Sequence, residues 1–535
     1  MPDSYDSVPY TSFAYGYTHP DALGVLGRLF GLAPAPPTAC RVLELGCATG
    51  GNLIPMAELL PDSEFVGIDR SRVQVDRGRA LIGELGLTNV RLEHGDILRV
   101  DPQTIGSFDY VVCHGVLSWV PRQVQDRLLG LTAAVLRPRG LAFISYNVYP
   151  GWHMREVVRD MMLFHLRRFE GPQKQLEQAR GLVDFVASSV KQRAAEDDPY
   201  ALLLAKELDT IKGMSDAYLF HEHLERDNSP LYFHEFIDRL RGVPLRYVCD
   251  TDLHLMVARD MPDEVRETLA RVADDQVSME QYLDFVRNRQ FRTSVLCRTE
   301  AAPVRRIEPG RVESLRFTLP GGPTSTPASL EPGVELGFLS ASGARISSPE
   351  PLTKAALIEL GERWPATLDF DTLLEAAAAR VREAGVAPNG DGGDNGEPEP
   401  EPDRERLAAD LIECLLRKAV LARVWEPPLA TELGDKPRVS AFNRIAADRE
   451  GWVATLHHNR SKLAAPLQRL VPLLDGTRDR AQLIAEVTAL VNTKQMSIRT
   501  QDGAPIEDGP ELEAACAEFL DEQLAKLLDL PVLLS

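Results

Sequence analysis

Glu44, Gly46, Gly50 and Asp69 are the residues whose types and spacing point most directly to chemistry. Glu44 stands near the end of an apolar run, residues 41–45 (RVLEL), and the glycine-rich segment GCATGGN follows at once. Glycines let a chain turn tightly and bring its backbone against a ligand, and Asn52 suits the start of the next helix. Asp69 ends a second apolar run, residues 64–69 (EFVGID). It lies roughly 20 residues beyond the turn, a spacing suited to gripping ribose hydroxyls. The G-x-G-x-x-G of a dinucleotide-binding turn is absent. These residues together predict a nucleotide-like ligand at the end of a buried strand.

The elements that must position them alternate. Residues 41–45, 64–69, 90–94, 108–113 and 136–146 read as short apolar strands, and the stretches between them, such as 71–85 and 122–136, repeat apolar residues at helical spacing. Such β-α alternation predicts a parallel sheet. Residues 245–249 and 294–298 supply two further strands with an amphipathic helix, 278–289, between them. Residues 153–169, 173–193 and 200–211 have the pattern of three helices inserted between strands five and six.

The turn reads E-x-G-x-A-x-G over residues 44–50. It resembles motif I of class I S-adenosylmethionine (AdoMet) methyltransferases. That resemblance implies an α/β fold with a Rossmann-like seven-stranded sheet, a helical insertion and AdoMet as methyl donor, leaving S-adenosylhomocysteine. It implies a cofactor site at Glu44, Gly46, Cys47, Ala48, Gly50 and Asn52, at Asp69 and Arg70 for the ribose, at Asp96 and Ile97 for the adenine, and at His114. Ala48 departs from the commoner glycine, a small change that does not imply loss of binding. The runs YDSVPYTSFAYGYTHP (5–20), HGVLSWVP (114–121), YNVYPGWHMR (146–155), HEHLERDNSPLYFHEF (221–236) and QYLDFVRNRQF (281–291) are similar to those of bacterial methyltransferases with a methyltransferase regulatory domain. That group includes lysine methyltransferases that modify an outer-membrane surface protein. The likeness spans residues 5–300, and residues 473–487 (LLDGTRDRAQLIAEV) resemble the group's C-terminal winged-helix segment.

In class I enzymes the reacting methyl lies beyond the carboxyl ends of strands four and five. His114, Trp119, Tyr146, Asn147, Tyr149 and Trp152 fall there and form the expected catalytic and acceptor group. Methyl transfer is an in-line displacement by a lone pair, which requires alignment and exclusion of water. Aromatic faces attract sulfonium and ammonium cations without offering a competing nucleophile, and the Asn147 carbonyl can orient an amine. The segment lacks the N-P-P-Y run of many nucleic-acid amino-methyltransferases. Tyr5, Tyr10, Phe13, Tyr15 and Tyr17 crowd the start of a chain that is 7% aromatic, which predicts a lid, with Tyr15 and Tyr17 reaching the acceptor.

The chain has 535 residues, 44% of them hydrophobic, enough for several domains. Composition breaks, helical periodicity and the resemblance together imply an aromatic arm at 1–35, a methyltransferase domain at 36–152 and 241–300, a helical insertion at 153–240 that regulates or dimerises, a middle domain at 301–386, a disordered acidic linker at 387–406 and a mainly helical, winged-helix-like domain at 407–535. A net charge of −20 argues against a nucleic-acid surface. No stretch of about 18 apolar residues is long enough to span a membrane, and the start lacks a signal-peptide pattern, so a cytoplasmic protein is expected. Cys40, Cys47, Cys113, Cys249, Cys297, Cys414 and Cys516 are odd in number and never in C-x-x-C spacing, so reduced thiols are expected. His221-Glu222-His223 lacks the spacing of a helical metal site, and no metal is expected. The reading is an AdoMet-dependent methyltransferase acting on a protein or peptide, at lysine nitrogen, with a possible homodimer through the insertion. The alternatives are a small-molecule O- or N-methyltransferase and a non-catalytic AdoMet-binding regulator.

Overall fold

Strands β1 (Arg41–Leu45), β2 (Glu64–Asp69), β3 (Val90–His94), β4 (Phe108–Cys113), β5 (Leu136–Asn147), β6 (Leu245–Asp250) and β7 (Phe291–Arg298) form one sheet in the order 3-2-1-4-5-7-6. The computed structural model describes residues 6, 8–195, 198–386, 402–498 and 510–535. Contacts divide the chain into one unit of residues 1–12, 41–53 and 64–301 and a second of residues 13–40, 54–63 and 302–535. Tyr5 and residues 387–401 of the expected linker lie outside the described residues.

The sheet belongs to the first unit. β4 (FDYVVC) is buried along its whole length, as a strand covered on both faces requires. β1 pairs in parallel with β2 and β4, while β7 runs antiparallel between β5 and β6. The strand order reverses between β1 and β4, where an open α/β sheet leaves a crevice at its carboxyl edge. The register places Glu44 beside Gly67 and Val112, Asp69 beside His94, and Asn147 beside Phe291. β7 starts at Phe291 instead of residue 294 because Phe291, Arg292 and Thr293 pair with Asn147, Tyr146 and Ser145, a nonlocal match that periodicity does not reveal.

Helices α1 (Arg72–Leu85) and α2 (Arg122–Val135) follow β2 and β4. Ser71 caps α1 by accepting from the Gln74 amide, and Gly86 ends it at φ +66°. The insertion follows β5 as α3 (Trp152–Leu166), α4 (Pro172–Ala195) and α5 (Pro199–Lys212). Val158, Met162, Leu176, Val183, Leu204 and Leu208 bury its inner faces in a core of its own. At about 1.5–3 kcal/mol per fully buried side chain, this packing holds the helices together. A π-helical turn (Phe220–Leu224) and α6 (Phe233–Leu240) then lead to β6, and α7 (Gln276–Arg287) joins β6 to β7.

In the second unit the Asp21 carboxylate accepts from the Val424 and Trp425 amides at 2.7 and 2.9 Å and pairs with Arg423 at 2.9 Å. A helix, Arg404–Leu416, capped by Asp403, begins within the last residues of the expected linker. Residues Leu421–Arg423 pair antiparallel with Arg316–Thr318, and this pairing ends the helix. The C-terminal part holds the helix Ala441–Glu450, a two-stranded wing of Trp452–Ala454 and Arg460–Lys462, and the helices Arg480–Asn492 and Pro510–Asp529. It forms the winged-helix domain. All seven cysteines are buried, and none forms a disulfide. Among the described residues no helix is long and apolar enough to cross a membrane.

Candidate active site

The glycine turn leaves β1 under close constraint. Gly46, at φ +83°, donates its N–H to the Ile68 carbonyl at 2.8 Å, and a Cβ there would collide with Val116 Cγ2. Gly50, at φ +78°, donates to the Cys47 carbonyl at 2.8 Å. Ala48 occupies the left-handed region at φ +49°, which explains in backbone terms why glycine is the commoner residue at this position. Its amide donates to Asp69 Oδ2 at 2.8 Å, and the Ser71 amide donates to Asp69 Oδ1 at 2.8 Å. Two backbone donors thereby fix the Asp69 carboxylate at the end of β2, and a carboxylate has capacity for about four acceptor bonds.

Glu44 is buried, with Oε1 accepting from Asn52 Nδ2 at 2.9 Å and Oε2 without a hydrogen-bond partner. Burial raises its pKa to about 8, opposed by the Asn52 bond and reinforced by the negative charge of Asp69. Cys47 is raised as well, by burial first and then by Asp69 and Glu44. An orphaned acid oxygen beside the glycine turn suits a ligand carrying positive charge. Asp96 caps the short turn Ile97–Arg99 through the Leu98 amide at 3.0 Å, and both Asp96 and Ile97 are half-buried; Arg70 is exposed.

The arm expected to act as a lid meets this turn. Ser71 Oγ donates to Asp6 Oδ1 at 2.6 Å, the Gly51 amide donates to Ser12 Oγ at 2.9 Å, and Val8 O lies 2.6 Å from His221 Nε2. Tyr10 packs edge-on against His221 at 5.6 Å. Tyr15 and Tyr17 lie in the second unit, on a short turn with their rings 5.8 Å apart.

Beyond β4, His114 Nδ1 lies 2.9 Å from Ser145 Oγ, which also accepts from the Gly115 amide at 2.8 Å. Burial pushes the His114 pKa down to about 4, so the ring is neutral near neutral pH. Its edge contacts are Phe143 and Phe291, at 5.9 and 6.1 Å. Ser118 Oγ accepts from the Asn147 amide at 2.8 Å and Ser118 O accepts from Ser229 N at 2.8 Å, joining three of the sequence runs. Asn147 Nδ2 donates to Asn228 Oδ1 at 3.1 Å, while Asn228 Nδ2 is buried without a partner.

Tyr149 is half-buried; its hydroxyl donates to Glu156 Oε1 at 2.7 Å and its ring stacks on His153 at 4.2 Å. Burial and the neighbouring carboxylates raise its pKa. Trp119 meets Trp152 edge-on at 5.8 Å. Trp152 and Tyr146 are each 1% exposed. Tyr146 stacks on Phe236 at 4.2 Å and its hydroxyl lies 3.0 Å from Ser294 Oγ, so these two rings shape the site from behind. Phe291, Ser118, Ser145 and Asn228 were not singled out by sequence reasoning. Phe291 closes a quoted aromatic run, a signal that was present, whereas two serines and an asparagine carry none. His221 and His223 sit on the π-helical turn, and among the described residues no group of three or more His, Cys, Asp or Glu is placed to hold a metal.

Three family models match the chain: "Methyltransferase domain" over residues 42–140, "Predicted methyltransferase regulatory domain" over 215–298, and "PKMT, C-terminal winged helix domain" over 435–530. An uncharacterised protein of Rickettsia prowazekii is 37% identical over 529 residues, covering 98% of this chain and 92% of that relative. A second protein of that organism is 40% identical over 243 residues, 45% of this chain and 96% of its own length. The structure of PKMT2 from Rickettsia typhi in complex with AdoHcy superposes with a TM-score of 0.85 at 28% identity, covering 98% of this chain and all of that one (100%).

Proposed function

Because the chain belongs to the class I AdoMet-dependent methyltransferases that carry a methyltransferase regulatory domain and a PKMT-type winged helix, we propose that it methylates a protein or peptide acceptor at lysine side-chain nitrogen. The observation that carries this reading is the likeness, along 98% of the chain, to PKMT2 of Rickettsia typhi in complex with AdoHcy, taken with the sequence runs that resemble bacterial lysine methyltransferases. It extends over the regulatory and winged-helix parts as well as the catalytic fold.

AdoMet, when bound, supplies an electrophilic methyl on a sulfonium sulfur. In this reading Asp69 accepts the ribose hydroxyls, Asp96 and Ile97 flank the base, and the turn at Gly46 and Gly50 admits the backbone of the site to close approach. Glu44, which keeps its proton in the free protein, supplies a negative charge once a cationic group displaces that proton. Arm residues Asp6 and Ser12, bonded to Ser71 and Gly51, cover the same loops. On the acceptor side, a lysine must arrive as a neutral amine for its lone pair to attack, and an apolar wall lowers an amine's pKa. Trp119, Tyr149 and Phe291 form that wall, and Asn147, held by Ser118 and Asn228, orients the nitrogen. Neutral His114 is matched to a site that must not hold a competing cation.

The test is incubation with methyl-labelled AdoMet and a protein extract, followed by mapping of the labelled residue. Label on lysine side chains is expected. Label confined to small metabolites would contradict the reading.

A further inference from the structure

Next to the β5 end the Tyr149 ring of the acceptor wall continues into a wider aromatic surface, whose other members lie outside that wall. Tyr232 lies 5.3 Å from Tyr149 and 5.7 Å from Phe285, and its hydroxyl is 3.2 Å from His153 Nε2. The cluster is not a sealed core: Phe285 is 45% exposed and the His153 side chain 54%. Its carboxylates are Glu156, bonded to the Tyr149 hydroxyl, and Glu235, which accepts from the Tyr232 amide at 2.9 Å. Both act electrostatically on Tyr149. The turn that carries Tyr149 is tied down at Val148 N to Gln290 O, Tyr149 N to Leu231 O and Gly151 N to Arg289 O, at 3.0, 3.1 and 2.9 Å. The surface is therefore built on a fixed backbone.

We propose that the face formed by Tyr149, His153, Tyr232 and Phe285, edged by Glu156 and Glu235, holds the methylated ammonium of a lysine side chain. This deepens the lysine reading and rests on it. Ring faces attract cations through their quadrupole, and the two carboxylates add a negative field. Methyl groups spread the ammonium charge and weaken its hydration, so a methylated ammonium gives up less on leaving water and makes more contact with the rings. A surface that stabilises the charged form opposes the deprotonation that attack requires. It is thus a resting place for a methylated product beside the transfer site, from which the same side chain returns for another methyl.

Calorimetry or NMR titration of the full-length protein tests this with three probes: the blocked amino acids N-acetyl-trimethyllysine amide and N-acetyl-lysine amide, and the neutral analogue carrying a tert-butyl group. Trimethyllysine is expected to bind about three- to tenfold more tightly than lysine, and Phe285→Ala and Glu235→Gln to remove the difference. The glutamine keeps an oxygen for the Tyr232 amide, so its effect reports charge and not folding. Equal binding of the neutral analogue, equal binding of lysine, or a preference untouched by both variants would overturn the proposal. Failure of lysine methylation in the extract experiment would remove the lysine reading instead, while methyllysine formed without this binding preference would remove only the present inference.

Discussion

Gly51 donates its backbone N–H to Ser12 Oγ at 2.9 Å, and a Cβ on Gly51 would stand 2.5 Å from the Ser12 carbonyl oxygen. The arm and the glycine turn are thus fitted together at a place where backbone meets backbone, and neither can shift alone. Gly51→Ala must displace the arm, and its AdoMet affinity is expected to fall by about 1–2 kcal/mol, the scale of one lost hydrogen bond plus local strain. Unchanged calorimetric affinity would show that the arm does not cover the cofactor.

Asp69 offers the most direct test of the cofactor site. Asp69→Ala removes the acceptor expected for the ribose hydroxyls and leaves the Ala48 and Ser71 amides without a carboxylate. A loss of about 1–3 kcal/mol in AdoMet binding is expected. Full affinity in this variant would sink the assignment.

Glu44 makes the free protein's stability depend on pH. Its pKa is raised from the ordinary carboxyl value to about 8 on folding, so the folded state keeps a proton that the unfolded chain releases. That contribution is fully present below the unfolded pKa and is lost as pH rises toward 8. Glu44→Gln should flatten the fall of stability over this window, read by denaturant melts of the cofactor-free protein. Binding of a cation beside Glu44 should also expel its proton, so at pH 7 the calorimetric enthalpy of AdoMet binding should vary with the ionisation enthalpy of the buffer. A buffer-independent enthalpy would argue against Glu44 as the group that meets positive charge.

The strands β1 to β4 were legible because each is a short, mainly apolar run stopped by an acid, histidine or glycine, as at Asp69 and His94. What the sequence did not reveal is nonlocal. Residue type marks Tyr146 as aromatic, but only the partners Phe236 and Ser294, far along the chain, make it a core residue. Helix periodicity continues past Leu416, and the strand pairing of Leu421–Arg423 with Arg316–Thr318 cuts it off. Phe291 faces His114 only because β7 runs antiparallel and brings its first residue to the carboxyl edge. The positive φ of Ala48 was signalled by the glycine common at that place in the related motif and not by alanine itself.

Tyr149 and Trp152 separate alignment from folding. Tyr149→Ala should cut methyl transfer by about tenfold or more with AdoMet affinity nearly intact, since it acts on acceptor alignment. Trp152→Ala opens a buried site and should in addition cost about 3–5 kcal/mol of stability. Wild-type turnover in Tyr149→Ala would remove that ring from the acceptor wall.

The insertion presents Phe164 at 63% exposure, Phe185 at 68% and Leu203 at 50%. Large apolar side chains left in water on neighbouring helices mark an association surface, and a homodimer through these helices is expected. Light scattering of the full chain at micromolar concentration should give a dimer mass, reduced to the monomer by Phe185→Asp. A monomer for the unaltered chain would contradict it.

Methyl groups that leave AdoMet should be recovered on lysine nitrogen, and the balance of products tests this most directly. AdoHcy formed in a reaction with a purified acceptor protein should be matched, mole for mole, by methyl groups recovered as methyllysine after acid hydrolysis. AdoHcy formed without methyllysine, or methyl recovered on another residue or on a small molecule, would contradict the account.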